Sequence, residues 1–151
     1  MSVHQSTLAL IAHDGRKADM VAWATYNRSH LSRHSLYATA STGALLRDKV
    51  GLRVTTLRSG PLGGDAQIAG MVVEGRVRAV FFFVDPLSAH PHDPDIRTLL
   101  RVCNVHNVPI ATNVAAADLF LTSNLMGGAG TDHAGAEDAI TVDEASLSPL
   151  S

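Results

Sequence analysis

Apolar positions along the first 123 residues come in two alternating patterns: short unbroken runs, and sets spaced at three and four. Leu8-Ala9-Leu10-Ile11-Ala12 is an unbroken run, the mark of a strand covered on both faces. After His13-Asp14-Gly15-Arg16-Lys17, the residues Met20, Val21, Trp23 and Ala24 recur at helical spacing. Residues 35–39 (SLYAT) predict a second strand. A helix then carries Leu45, Leu46 and Val50 and stops at Gly51. Residues 53–57 (RVTTL) form a third, more polar strand. A helix following Asp65 places Ile68, Ala69, Val72 and Val73 on one side. The clearest strand is 79–84, AVFFFV, whose length and aromatic content favour a central buried position. Asp93 and Pro94 suit the cap and first residue of a helix through Ile96, Leu99, Leu100, Val102 and Cys103. A short fifth strand (108–111) and a helix (115–121) follow. Five such alternations predict an α/β fold: a five-stranded parallel sheet with helices on both faces, a Rossmann-like three-layer arrangement.

In sheets of this kind ligands bind outside the carboxyl ends of the strands. The chain's polar groups gather there: His13, Asp14 and Lys17; Thr39, Ser41 and Thr42; Ser59 to Asp65; Asp85, His92 and Asp95; Asn113. The most distinctive loop is SGPLGGD, residues 59–65. Three glycines and a proline within six residues fix a tight turn and let backbone N–H groups approach a ligand closely. The loop ends on one carboxylate, Asp65, at a helix N-terminus. Taken alone, it is also what an ordinary capped turn looks like.

Composition narrows the field. A chain of 151 residues with 46% hydrophobic and 17% charged residues suits one folded domain, here residues 1–123. Residues 124–151 contain no Lys or Arg and are rich in Gly, Ala, Asp and Glu, which predicts an acidic tail. Within it Ala139-Ile140-Thr141-Val142 could pair as a short strand. A net charge of −2 supplies no basic field for nucleic acid or an anionic membrane, and no apolar run reaches the ~20 residues of a membrane span. The N-terminus lacks the pattern of a signal peptide, and the single cysteine, Cys103, fits a reducing compartment and a buried, inert thiol. A cytoplasmic location is expected.

Thr39, Ser41, Thr42 and Gly43 make a hydroxyl-rich turn at a helix start, suited to a phosphate, and Lys17 could supply the compensating charge. The same residues could serve only to cap their own helix. His90-Pro91-His92-Asp93-Pro94-Asp95 is the densest titratable cluster. An imidazole there, at His92, could polarise a carbonyl or move a proton between oxygens, with Asp95 orienting it. A metal site is the competing reading of that cluster, although no HExxH pattern or cysteine group supports it. His13-Asp14 and Asp85 end strands, where charge is costly unless it faces the edge pocket or makes a loop hydrogen bond. His4, His30, His34, His106 and His133 receive no role.

The segments IAHDGRK (11–17), LYATASTG (36–43), SGPLGGDAQ (59–67), FFFVDPL (81–87), PHDPD (91–95) and IATNVAAAD (110–118) together resemble the methylglyoxal synthase family, in its order and spacing. The resemblance implies a five-stranded parallel sheet and a hexamer. It also implies elimination of phosphate from dihydroxyacetone phosphate to give methylglyoxal, with no cofactor or metal and with inorganic phosphate as product and inhibitor. Asp65 then matches the catalytic base, and His92 the histidine at the carbonyl and hydroxyl oxygens. Asp95, His13, Asp14 and Asp85 match the polar network. His13, Lys17, Thr39, Ser41, Thr42, Ser59, Gly60 and His92 match substrate- and phosphate-side positions. Ala40 stands where glycine is more usual, and Ser41 where threonine is. The family's C-terminal arginine, which reaches a phosphate, has no counterpart in residues 124–151, which implies a substitute elsewhere or weaker phosphate binding and regulation. The same fold also serves as a metabolite-sensing module without catalysis. Asp65 together with His92 and Asp95 favours the enzyme.

Overall fold

The computed structural model describes residues 6–87 and 96–123. Five strands, β1 (Thr7–Ala12), β2 (Ser35–Ala38), β3 (Val54–Thr56), β4 (Ala79–Phe83) and β5 (Ile110–Ala111), form one sheet in the order β3-β2-β1-β4-β5. Every pairing is parallel, as the unbroken apolar runs predict. The strands are trimmed relative to the apolar runs at several ends. Thr39, for instance, leaves the sheet to cap a helix, and Pro109 has no N–H to donate but still accepts from Val80 N at 2.9 Å.

The helices are α1 (Lys17–Tyr26), α2 (Arg28–Leu31), α3 (Ala40–Leu45), α4 (Gly64–Val73), α5 (Ile96–His106) and α6 (Val114–Thr122). Two of the turns differ from the pattern-based expectation. The short α2 was not foreseen, and the expected helix over Leu45–Val50 loosens after α3 into a π-helical turn, Leu46–Val50. Gly51 then stops it in the left-handed conformation, φ 79°, where a side chain would be strained. The last carbonyls of the turn are not left bare. Arg28 Nε donates to Val50 O at 2.9 Å and Nη2 to Gly51 O at 3.2 Å.

Side chains alternate strictly across the sheet, and this divides the core in two. Leu8, Leu10 and Ala12 of β1, with Phe81 and Phe83 of β4, face α1, the π-helical turn and α6. Ala9, Ile11, Val80 and Phe82 face Ile68, Met71 and Val72 of α4 and Leu99 and Cys103 of α5. Trp23 joins the first layer, its ring 5.1 Å from Phe81, and its Nε1 donates to Asp118 of α6 at 3.1 Å. Each buried Phe removes enough apolar surface for about 2–3 kcal/mol. Three consecutive phenylalanines therefore make β4 the strand that locks both layers to one sheet. Cys103 is fully buried, and that burial pushes its thiol up to about 11.

Candidate active site

The parallel sheet sends the loops after all five strands to one edge, and pairwise contacts draw them together. The β1 and β4 loops meet first. His13, 7% exposed, donates its backbone N–H to Phe83 O at 3.0 Å. Its Nδ1 accepts from the backbone N–H of Asp85, also at 3.0 Å. A ring nitrogen that accepts carries no proton, so in the neutral ring the proton sits on Nε2, leaving that nitrogen a donor. The imidazole stands edge-on against Phe82, ring centres 5.3 Å apart. Asp85 in turn accepts from Leu87 N at 3.1 Å and lies against the bare Cα of Gly15, where a methyl group would overlap its carboxylate.

Lys17 anchors the same corner. Its ammonium donates to the Ala12 carbonyl at 3.0 Å and pairs with Asp14 at 2.7 Å. The cation is thereby fixed at the end of the central strand, with most of its side chain buried and Asp14 outermost.

The β2 and β3 loops form the second pair. Leu57 N donates to Ala38 O at 2.7 Å, which carries the ladder one residue beyond β3. Thr39 is the N-cap residue of α3, so the hydroxyl turn does sit at a helix start. Thr39 and Thr42 are buried, Ser41 is exposed, and Ser59 and Gly60 are half-buried. Thr42 Oγ1 is out of water and has no hydrogen-bond partner among the described residues. Beyond β3, Ser59 O accepts from both Leu62 N and Gly64 N, at 3.0 and 2.9 Å, closing the glycine loop on itself. The N-cap of α4 is Gly63, in the left-handed conformation at φ 99°, so Asp65 lies in the first turn rather than at the cap. It is half-buried, and its Oδ1 accepts from Ala66 N at 3.0 Å. Gly64 touches Thr39, to whose methyl an added Cβ would come within 2.9 Å. The turn that bears Asp65 therefore packs directly on the hydroxyl turn.

His92 and Asp95 lie outside the described residues, as does the rest of the His90–Asp95 cluster considered for a metal. Among the described residues no three His, Cys, Asp or Glu side chains are grouped to hold an ion. Asn113, expected near the edge pocket, has a local duty: its Oδ1 accepts from Ala116 N at 2.9 Å and caps α6. A cleft of about 510 Å³ at the ends of β4 and β5 is lined by Arg16, Phe83, Thr112 and Asn113, and among the described residues Asn113 is the one expected site residue that lines it. Sequence reasoning missed Gln67, whose side chain accepts from Arg58 N at 2.8 Å. Its signal was its place at the end of the SGPLGGDAQ segment, one turn after SGPLGG, to which no role was attached.

Comparison with known proteins agrees with this fold. A family model described as "MGS-like domain" matches residues 19–112. The methylglyoxal synthase of Cupriavidus pinatubonensis is 57% identical over 114 residues, 76% of this chain and 88% of that protein. That of Carboxydothermus hydrogenoformans is 54% identical over 114 residues, covering 76% and 94%. The crystal structure of methylglyoxal synthase from Elizabethkingia anophelis superposes with a TM-score of 0.80 at 41% identity, covering 82% of each chain. With its parallel sheet, its paired edge loops and relatives at this identity over most of its length, the chain belongs to the methylglyoxal synthase family.

Proposed function

We propose that this chain is a methylglyoxal synthase, a carbon–oxygen lyase that converts dihydroxyacetone phosphate to methylglyoxal and inorganic phosphate. Beyond family membership, the observation that supports it is the packing of the Asp65 turn on the hydroxyl turn through Gly64 and Thr39. A base and a phosphate grip then share one short substrate.

The chemistry requires that sharing. Asp65 takes a proton from the hydroxymethyl carbon, alpha to the ketone, and the C–H electrons move into an enediolate. Donors at the oxygens hold the developing charge: His13 through Nε2–H, and His92. The enediolate electrons then expel phosphate from the neighbouring carbon, breaking its C–O bond. The resulting enol takes a proton on its terminal CH₂ to become methylglyoxal. Phosphate leaves only if its C–O bond stands perpendicular to the enediolate plane, where it overlaps the π system. Lys17, Thr39, Ser41, Thr42, Ser59 and Gly60 hold the phosphate in that orientation. Asp14, Asp85 and Asp95 complete the network: Asp85 through its backbone N–H to His13, Asp14 through Lys17, and Asp95 in the role of orienting His92.

In this reading residues 1–123 are the catalytic domain and 124–151 an acidic tail outside it. The enzyme works without cofactor or metal, as a cytoplasmic hexamer that diverts triose phosphate around the lower part of sugar breakdown, and its product phosphate inhibits it. Incubating the purified protein with dihydroxyacetone phosphate, and following methylglyoxal and phosphate together, tests the reaction. Binding without release of either product would overturn it.

A further inference from the structure

We propose that Gly64 and Gln67 are positioning residues: together they clamp the first turn of α4 to the backbone of Arg58, and so set where the Asp65 carboxylate sits relative to the phosphate-side hydroxyls. The inference rests on the reaction proposed above and concerns how its base is held.

The clamp grips one residue from two sides. Arg58 is the second residue past β3, just beyond the last ladder bond, Leu57 N to Ala38 O. Its N–H is bound instead by Gln67 Oε1 at 2.8 Å, a bond that spans nine residues. An N–H donor requires the amide oxygen of Gln67, which fixes the orientation of that side chain. On its other side, the Arg58 carbonyl lies against the bare Cα of Gly64. A methyl there would overlap the carbonyl oxygen and come 2.9 Å from its carbon. Gly64 has no left-handed φ, so its need for glycine comes from this close approach and not from backbone conformation.

Backbone cannot yield as a flexible side chain would. Relieving the overlap moves the α4 turn by on the order of 1 Å, to restore ordinary contact distance. Asp65 follows Gly64 directly and moves with it. Thr39 meets the same Cα, so the displacement is relative to the hydroxyl turn and not shared with it. A misplacement of about 1 Å at a reacting group costs roughly a hundredfold in rate.

The test compares Gly64→Ala, Gln67→Leu and Gln67→Glu with the parent on dihydroxyacetone phosphate, recording kcat, KM and Tm. Gly64→Ala lowers kcat by about a hundredfold. Gln67→Leu lowers it by roughly three- to tenfold, the scale of one lost hydrogen bond, with KM within about twofold because the phosphate grip is untouched. Gln67→Glu retains an oxygen acceptor for Arg58 N and restores most of the lost kcat. A purely structural role would lower Tm in step with rate. The clamp is overturned if Gln67→Leu keeps the parent's kcat, or if Leu and Glu are equally impaired. Should Gly64→Ala fail to fold, the Gln67 pair decides alone. A parent without turnover overturns the proposed reaction and the clamp with it, whereas an active parent with an unaffected Gln67→Leu overturns only the clamp.

Discussion

The two ends of the sheet are built from the same five strands and treat their polar groups in opposite ways. At the carboxyl end, the side chains of Lys17, Asp85 and His13 each hold a hydrogen-bond partner at the strand ends, while Thr42 Oγ1 is buried without one among the described residues. At the amino end, His30 and His34 stack at 5.4 Å between ring centres, and three of their nitrogens are out of water with no well-formed hydrogen bond among the described residues. Burial holds the His34 imidazole below its ordinary range, with His30, Arg78 and Arg33 adding to the effect against the Ser6 backbone. One end ties these side chains into hydrogen bonds between strand ends. The other leaves ring nitrogens unsatisfied among the described residues, which lowers stability away from the strand-end loops.

The comparison breaks first at its shared centre. Phe82 is fully buried in the strand whose two ends reach both edges. Phe82→Ala should cost about 3–5 kcal/mol of stability, measured by urea unfolding, and impair the whole molecule. Next comes a change confined to the carboxyl end. Asp65→Asn should lower turnover of dihydroxyacetone phosphate by roughly a hundredfold or more while leaving Tm unchanged. Equal activity would remove Asp65 as the base. A smaller effect is expected at Asn113, which serves stability although it lies at the same edge. Asn113→Ala should cost about 1 kcal/mol through the lost cap of α6, with kcat preserved.

The finest test falls at the amino end and depends on pH. The unfolded chain takes up a proton on His34 as pH falls through about 6.5, while the folded protein, whose imidazole is held lower, does not. Acid therefore favours unfolding, and stability from this group rises with pH across that window and is level above it. Thermal melts should show Tm falling from pH 7 toward pH 5, and His34→Leu should flatten that fall. A His34→Leu protein with the parent's pH dependence would remove the histidine from the account.

What could be read from the sequence follows the range of the forces involved. The run AVFFFV announces a buried strand because a parallel strand covered on both faces needs nothing but its own residues to be recognised. Gly51 is legible for the same reason, since it answers a local backbone requirement. The loosened turn at Leu46–Val50 was not legible, because its last carbonyls are satisfied by Arg28, more than twenty residues earlier. Among the candidate site residues, Asp65 was singled out by its loop. Its support was not, because the bond from Arg58 to Gln67 exists only once that loop has folded back. Asn113 was read as an edge residue and does line the cleft there, but its cap of α6 was not read, since both uses look alike in one dimension.

The lone thiol has a bearing on how this protein survives its own work. Methylglyoxal is a dicarbonyl electrophile, and sulfur attacks such carbons as the thiolate. Cys103, the only sulfhydryl in the chain, is sealed on the sheet-facing side of α5 and kept protonated well above neutral pH. A catalyst that releases a thiol-reactive product thus presents no sulfur nucleophile to it.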